Sequence, residues 1–237
     1  MISGKNPVLE YLRSGGKASK LLLSKTIKVD EIIGEIISIA KSMKVLIKNV
    51  DPIVIDKNSN SRTNQGVLLF TDFFDYKSLK EVISKDAFLV LLEHVKDPHN
   101  LGAVIRTAEA LGVNAVLITK YNSAEVNDTV FKTSAGAVAH IPIVRITNVA
   151  NTIKLLKRYK INIVGLDSSA ELSIKELDLT GPCCLVLGSE GEGLRALTKE
   201  NCDYLVRIPL TGKLGSLNVS VSAAIVIYER TRQVGGN

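Results

Sequence analysis

Ser216 and Asn218 stand where a glycine-bearing loop without acidic residues, Thr211–Ser216, passes into the apolar run Val219–Ile227. Both residue types favour a helix start, and the first-turn N–H groups of a helix lack partners within it and can meet a ligand. Only two serines interrupt the Val, Ala and Ile of that run, which predicts a helix buried on several faces and not laid on a surface. A buried helix that opens from a polar loop makes one wall of a pocket. A second loop, Gly188-Ser189-Glu190-Gly191-Glu192-Gly193, follows the apolar run Leu185–Leu187. Its glycines let backbone approach a ligand closely. Its spacing is G-x-x-G-x-G, not the dinucleotide fingerprint, and two acids occupy the place a pyrophosphate would need. In a third segment Leu101, Val104, Ile105, Ala108 and Leu111 form one helical stripe, and Arg106 points nearly opposite to it. That position suits either a solvated side chain or one turned toward a ligand. With a pKa above about 12, a guanidinium there is a poor proton acceptor. Asn100, one residue before the stripe, can both donate and accept hydrogen bonds.

The elements that must carry these residues follow from periodicity. From Ala87 onward, strand-like runs (Phe88–Leu92, Ala115–Thr119, Ile141–Val144, Ile161–Leu166, Cys184–Leu187 and Tyr204–Ile208) alternate with helical ones (Leu101–Leu111, Asn127–Ser134 and Val149–Tyr159). Near-continuous Val/Ile/Leu strands joined by helices predict an α/β domain with a parallel sheet covered on both faces. Ligands bind such sheets outside the carboxyl ends of the strands, where Gly188 and Pro209 stand. Upstream, a helix over 5–14, a strand Lys20–Ser24, a helix Val29–Lys44 and strands Val45–Ile47 and Val67–Phe70 predict a compact α/β/α module, similar to the ribosomal L30e type. The polar stretch Asp56–Gln65 reads as loop or cap. The expected organisation is therefore a small domain over 1–75, a linker over 76–86 and a larger domain over 87–237.

Composition narrows the function. The formal net charge is +6, and residues 1–70 hold 11 Lys/Arg against 6 Asp/Glu, while the remainder is nearly balanced. Such a distribution fits phosphate attraction by the small domain, or merely a soluble lysine-rich surface. Three cysteines, two adjacent at Cys183 and Cys184, make no disulfide framework, and neighbours on a strand point to opposite faces. With His94, His99 and His140 scattered, no metal site is expected. His99 reads as a turn residue. The apolar runs are short and broken, so no membrane span is expected, and the first residues lack a signal-peptide pattern. The default location is the cytoplasm.

In this order, Asn100-Leu101-Gly102-Ala103-Val104-Ile105-Arg106-Thr107-Ala108-Glu109, Leu185-Val186-Leu187-Gly188-Ser189-Glu190-Gly191-Glu192-Gly193-Leu194 and the run Ile208–Ser222 resemble the three signature motifs of the SpoU (TrmH-like) RNA ribose 2′-O-methyltransferases. The resemblance covers roughly residues 87–233, and three ordered motifs are far more specific than any one of them. Ile2-Ser3-Gly4-Lys5-Asn6-Pro7-Val8-Leu9-Glu10 and Asn64-Gln65-Gly66-Val67 are similar to the RNA-binding domain of RlmB-type members, which methylate a guanosine ribose in large-subunit 23S ribosomal RNA. The resemblance implies a SPOUT domain with a trefoil knot, a homodimer, RNA and not DNA as partner, and S-adenosylmethionine as donor. The donor would touch Gly188, Ile208 and Leu217, with Leu187, Pro209 and Leu210 around them, in a pocket lacking Lys and Arg because the donor is itself a cation. Arg106 occupies the motif arginine position and would handle ribose or phosphate. Asn100 would meet ribose or Glu190, Glu190 would position Asn100 or Arg106, and Ser216 and Asn218 would contact substrate or donor. Lys132, within Lys132–Ala137, would meet a phosphate. A transfer RNA or another ribosomal nucleotide is the alternative target. An RNA-binding assembly factor without catalysis is the alternative of another class, and intact Asn100, Arg106, Glu190, Ser216 and Asn218 count against it.

Overall fold

The structure, a computed structural model, describes residues 1–59, 63–71, 74–213 and 215–235. Residues 60–62 of the expected polar loop and Leu214 of the last motif lie outside the described residues. The chain forms two compact units, residues 1–75 with 126–140, and residues 76–125 with 141–237.

In the first unit the chain runs β1 (Ile2–Ser3), α1 (Lys5–Arg13), β2 (Ala18–Ser24), α2 (Glu31–Ser42), β3 (Leu46–Val50), α3 (Pro52–Asn58) and β4 (Val67–Thr71). The sheet order is β1-β4-β2-β3, with β2 and β3 parallel and β4 antiparallel to both β1 and β2. Asp30 caps α2, its Oδ1 accepting from the Ile33 N–H at 3.0 Å, and the helix buries Ile33, Ile36 and Ala40 at helical spacing. Helix α3 begins ahead of the stretch expected to be loop and takes in its first three residues, Asp56–Asn58. Pro52 stands in its first turn, where a missing N–H is harmless, and Ile55 packs on Leu22 of β2 and Leu68 of β4. Leu21 and Leu23 point to the other face and are equally buried, so this sheet is covered on both sides.

The second unit begins with α4 (Leu79–Val82), β5 (Phe88–Leu92), α5 (Pro98–Ala110) and β6 (Ala115–Thr119). After α6 (Asp128–Thr133) the chain continues as β7 (Ile143–Ile146), α7 (Val149–Arg158), β8 (Asn162–Leu166), β9 (Leu172–Ser173), β10 (Cys183–Leu187), α8 (Ala196–Asn201), β11 (Tyr204–Arg207) and α9 (Val219–Gly235). Seven strands pair in the order β7-β6-β5-β10-β8-β11-β9, every pair parallel. Strands β5, β6 and β10 are buried at every residue, which is why they read as unbroken apolar runs. Burial also pushes the Cys183 thiol up to about 11 and the Cys184 thiol well above its ordinary value, so both behave as small hydrophobes. The strand order reverses between β5 and β10, the topological switch point where such sheets open a crevice.

Three expectations differ from the structure. Residues 76–86 are not a free linker: Lys77 bridges to Val144 and α4 follows, both within the second unit. Residues 126–140 cluster with the first unit, not with the 87–237 domain. There Asp128 accepts from the Ser3 N–H at 2.6 Å and the Ser3 hydroxyl at 2.8 Å, and His140 Nε2 lies 2.8 Å from Glu10 Oε2. These pairings span more than a hundred residues, beyond the reach of any local pattern. Helix α9, expected to be buried on several faces, is two-sided within one chain. Val219, Ser222, Ala223, Val226 and Ile227 are buried, and the helix packs on α5 and β10. Val221, Ile225 and Tyr228 are 47, 37 and 59% exposed on the opposite side.

Candidate functional site

Helix α5 starts earlier than its apolar stripe. Asp97 Oδ1 accepts from the His99 N–H at 2.9 Å, and Pro98 takes the first helical position. Aspartate followed by proline is a helix-start signature that the sequence reading passed over. This cap places His99 in the first turn of a helix, exposed, and not in a turn. It also turns Asn100 inward, where Asn100 is buried.

Asn100 Nδ2 donates to Glu190 Oε1 at 2.7 Å. Asn218 Nδ2 donates to the same oxygen at 2.7 Å and to Asn100 Oδ1 at 3.0 Å. Residues from all three motifs therefore close one hydrogen-bonded network. Asn218 Oδ1 accepts from the Ser220 N–H at 2.8 Å, which makes Asn218 the cap of α9. Ser216 caps no helix among the described residues; it is exposed in the loop two residues earlier and lines the adjoining cavity. Arg106 is exposed on the outer side of α5, with no hydrogen bond or ion pair to any described residue.

The cavity has a volume of about 620 Å³ and lies beyond the carboxyl ends of β8, β10 and β11. Leu187, Gly188, Ile208, Leu210 and Leu217 line it, as does the whole loop 188–193. Pro209, next to Ile208, lines an adjoining surface depression with Ile174, Ile225 and Tyr228. The loop is pinned back on itself. The Gly193 N–H donates to the Ser189 carbonyl at 3.0 Å, and a Cβ on Gly188 would fall 2.0 Å from the Gly193 carbonyl carbon. Only glycine fits there.

The lining carries three acids, Asp167, Glu190 and Glu192, and one cation, Lys199. Lys199 corrects the expectation of a pocket without basic residues. Its charge is matched, because Nζ sits 2.5 Å from Asp167 Oδ2. Burial pushes the Asp167 carboxyl up, but Lys199 and the N–H and hydroxyl of Ser169 outweigh it and hold the group below the usual carboxylate range. Acidic groups and apolar surface around a cavity of this size suit a nucleoside-sized ligand that carries positive charge. Behind the loop, Glu93 at the end of β5 is buried. It accepts from the Thr198 hydroxyl at 2.7 Å and the Arg195 N–H at 3.1 Å, tying the exit of the loop to the sheet. No motif spacing marks Asp167, Glu93 or Thr198, since their partners come from distant strands. Lys132 is not free for a phosphate; its Nζ pairs with Asp128 at 3.0 Å within the first unit. Among the described residues no group of three or more His, Cys, Asp or Glu could hold a metal ion, and no helix is long and apolar enough to cross a membrane.

Residues 87–228 match the SpoU rRNA Methylase family, and residues 1–77 match the RNA 2′-O ribose methyltransferase substrate binding family. The chain is 38% identical over 239 residues to a TrmH family tRNA/rRNA methyltransferase of Staphylococcus saprophyticus, covering 98% of this chain and 95% of that protein. It is 36% identical over 238 residues to the TrmH family protein YacO of Bacillus subtilis, covering 98 and 95%. Its fold is similar to that of the SpoU methyltransferase AviRb from Streptomyces viridochromogenes, crystallised with AdoMet, at a TM-score of 0.87 and 22% identity over 98% of this chain and 89% of that one. With a family match across more than half of its length and its three motifs joined in one network, the chain belongs to the SpoU rRNA methylase family of RNA methyltransferases.

Proposed function

We propose that this methyltransferase transfers the methyl group of S-adenosylmethionine to the ribose 2′-hydroxyl of a guanosine in 23S ribosomal RNA, working as a cytoplasmic homodimer. The observation that carries the reading is the Asn100–Glu190–Asn218 network at the rim of an acidic, apolar-walled cavity, with an uncommitted arginine on the same helix as Asn100. The donor, when bound, would supply a sulfonium-activated methyl group, its C–S bond breaking to leave the neutral thioether as the new O–C bond forms and the hydroxyl proton passes to solvent. Residues of this chain do the rest. Gly188, Leu187, Ile208, Leu210 and Leu217 enclose the adenosine portion, and the acids of the loop complement its positive charge. Glu190 holds both amide side chains in fixed rotamers, so Asn100 and Asn218 present preorganised polar atoms to the ribose. Arg106 clamps a phosphate and orients the sugar. The positively charged first unit holds the RNA through its backbone.

Relatives carry names that span both transfer and ribosomal RNA, so the test must offer both. The purified protein is incubated with S-adenosylmethionine and either unmodified 23S rRNA or unmodified tRNA, and the digested nucleosides are read by mass spectrometry. The expected product is 2′-O-methylguanosine from 23S rRNA alone. Product only from tRNA, or a methylated nucleoside other than guanosine, would overturn the target assignment. No transfer to any RNA would overturn the activity.

A further inference from the structure

Four tyrosines of the second unit are largely exposed: Tyr121, Tyr159, Tyr204 and Tyr228. Tyr159 precedes β8 and Tyr204 begins β11, so both lie at the amino edge of the parallel sheet, away from the cavity. Tyr228 belongs to the apolar stripe of α9. Tyr121 alone among them follows the carboxyl end of a strand, β6, on the edge where the cavity opens. β6 and β10 flank β5, which sets their ends roughly 10 Å apart at two strand spacings.

The loop that carries Tyr121 is held firmly. Thr119 Oγ1 accepts from the His94 N–H at 3.2 Å and is hydrogen-bonded to the Ser123 hydroxyl. His94 Nδ1 lies 3.1 Å from the Tyr121 carbonyl, and the Ala124 N–H donates to the Val95 carbonyl at 2.8 Å. Two loops, after β5 and after β6, are thereby clasped together. Tyr121 is 61% exposed. Lys120 Nζ sits 5.5 Å from the ring centroid, and Lys96 is exposed on the clasped loop. The nearby acids are engaged: Asp97 caps α5 and Glu125 pairs with Arg145.

An exposed aromatic ring on a firmly held loop, beside a cation, is an arrangement on which single-stranded bases stack; it tolerates any base because every base has a π-face. We propose that Tyr121 is a stacking platform for an unpaired RNA base flanking the methylated nucleotide, with Lys120 facing the adjoining phosphate. This rests on the reading of the cavity as the methyl-transfer site. The platform gives the second unit its own grip on single-stranded RNA and restricts the enzyme to targets in loops or bulges.

The chain has no tryptophan, so Tyr121→Trp introduces one fluorophore at the platform. The full-length variant is titrated with single-stranded oligoadenylate of about twelve nucleotides and with a perfectly paired RNA duplex of the same length, and binding is followed independently by anisotropy of labelled RNA. Saturable quenching by the single strand, and little by the duplex, is expected. In parallel, Tyr121→Leu should weaken single-strand binding roughly five- to 150-fold with an unchanged salt slope, whereas Tyr121→Phe should bind normally. Lys120→Ala should reduce the salt slope by about 0.7. Absence of quenching while RNA binds, equal quenching by duplex, failure of the single strand to bind, or normal binding by Tyr121→Leu would each overturn the platform. Methyl transfer to RNA by the parent protein is measured in the same series; transfer with no quenching removes the platform and leaves the activity standing.

Discussion

Arg106 and Asn218 illustrate two kinds of polar residue in one site. Arg106 makes no contact with the described residues and lies opposite the buried stripe of α5, so truncating it opens no cavity. Arg106→Ala should leave stability within about 0.5 kcal/mol of the parent. Methyl transfer should fall by about a hundredfold or more, because a charge-assisted contact strongest in the transition state is worth on the order of 3 kcal/mol. Arg106→Lys keeps the charge but not the fork, and single-turnover assays should find it rescued little. Near-parental rates for the alanine enzyme would return Arg106 to an ordinary solvated side chain. Asn218 does two jobs with two atoms: Oδ1 caps α9, and Nδ2 bonds Glu190 and Asn100. Serine caps a helix about as well as asparagine but cannot reach as far. Asn218→Ser should therefore hold its urea midpoint while transfer drops at least about tenfold, whereas Asn218→Ala should lose about 1 kcal/mol of stability as well. Equal stability losses in both would show that the cap is not what the side chain supplies.

The loop 188–193 and helix α9 are the elements on which the site depends. The loop doubles back so tightly that a Cβ at Gly188 would meet the backbone of Gly193 and Leu194. Gly188→Ala must displace that strand-to-loop turn, at a cost of roughly 1–3 kcal/mol by analogy with overpacked cores. Calorimetry should find S-adenosylmethionine binding lost while the protein remains folded; retained affinity would mean that the loop does not form the donor wall. At the far end of α9, Arg232 donates to both oxygens of Glu229, at 2.7 and 3.0 Å, and Gln233 adds a third bond. Arg232, opposed by burial and assisted by Gln233, holds the Glu229 carboxyl at about 2 instead of 4.5. A depressed carboxylate stabilises the folded state above its unfolded value, and that contribution is lost as pH falls from about 4.5 toward 2. Glu229→Gln should flatten the acid limb of the stability profile in that window by about 1 kcal/mol, since Arg232 is half exposed and solvent screens the pair. Denaturant midpoints measured from pH 2 to 6 check this.

For the molecule as a whole, the exposed stripe Val221, Ile225 and Tyr228 on α9 is the surface on which the proposed homodimer depends. The stripe continues into the depression lined by Ile174, Ile208 and Pro209. Burying it would remove apolar area from water and finish the packing of a helix whose other face is already in the core. Ile225→Glu places a charge in that surface without touching the buried face. Light scattering after gel filtration should report a dimer for the parent and a monomer for the variant; a monomeric parent would dismiss the dimer. The division into units also limits truncation. Because residues 126–140 contact Ser3 and Glu10, a fragment cut at residue 75 takes Ser3 from Asp128 and Glu10 from His140.

Much of the second unit is legible in the residues themselves. Strands buried on both faces must be apolar at every position, so β5, β6 and β10 announce themselves, and alternation with helices makes the sheet parallel. Asn218 stands out as a helix-start residue and Glu190 as an acid in a glycine loop, whereas Asn100 is marked by the motif resemblance. Geometry between distant segments is another matter. That Glu190 accepts from both amides, that Lys199 stands in the pocket but is neutralised by Asp167, and that Pro209 lines the adjoining depression follow from how β8, β10 and β11 align. The same holds for helix α6, whose own sequence predicts a helix but not that its Asp128 belongs to Ser3 in the other part of the chain. Local sequence constrains φ, ψ and burial period over a few residues, whereas a hydrogen bond between positions 3 and 128 or 100 and 218 is chosen only when the whole chain has closed. The chemistry of the site was therefore written in residue types, and its completion as a network was decided by tertiary structure.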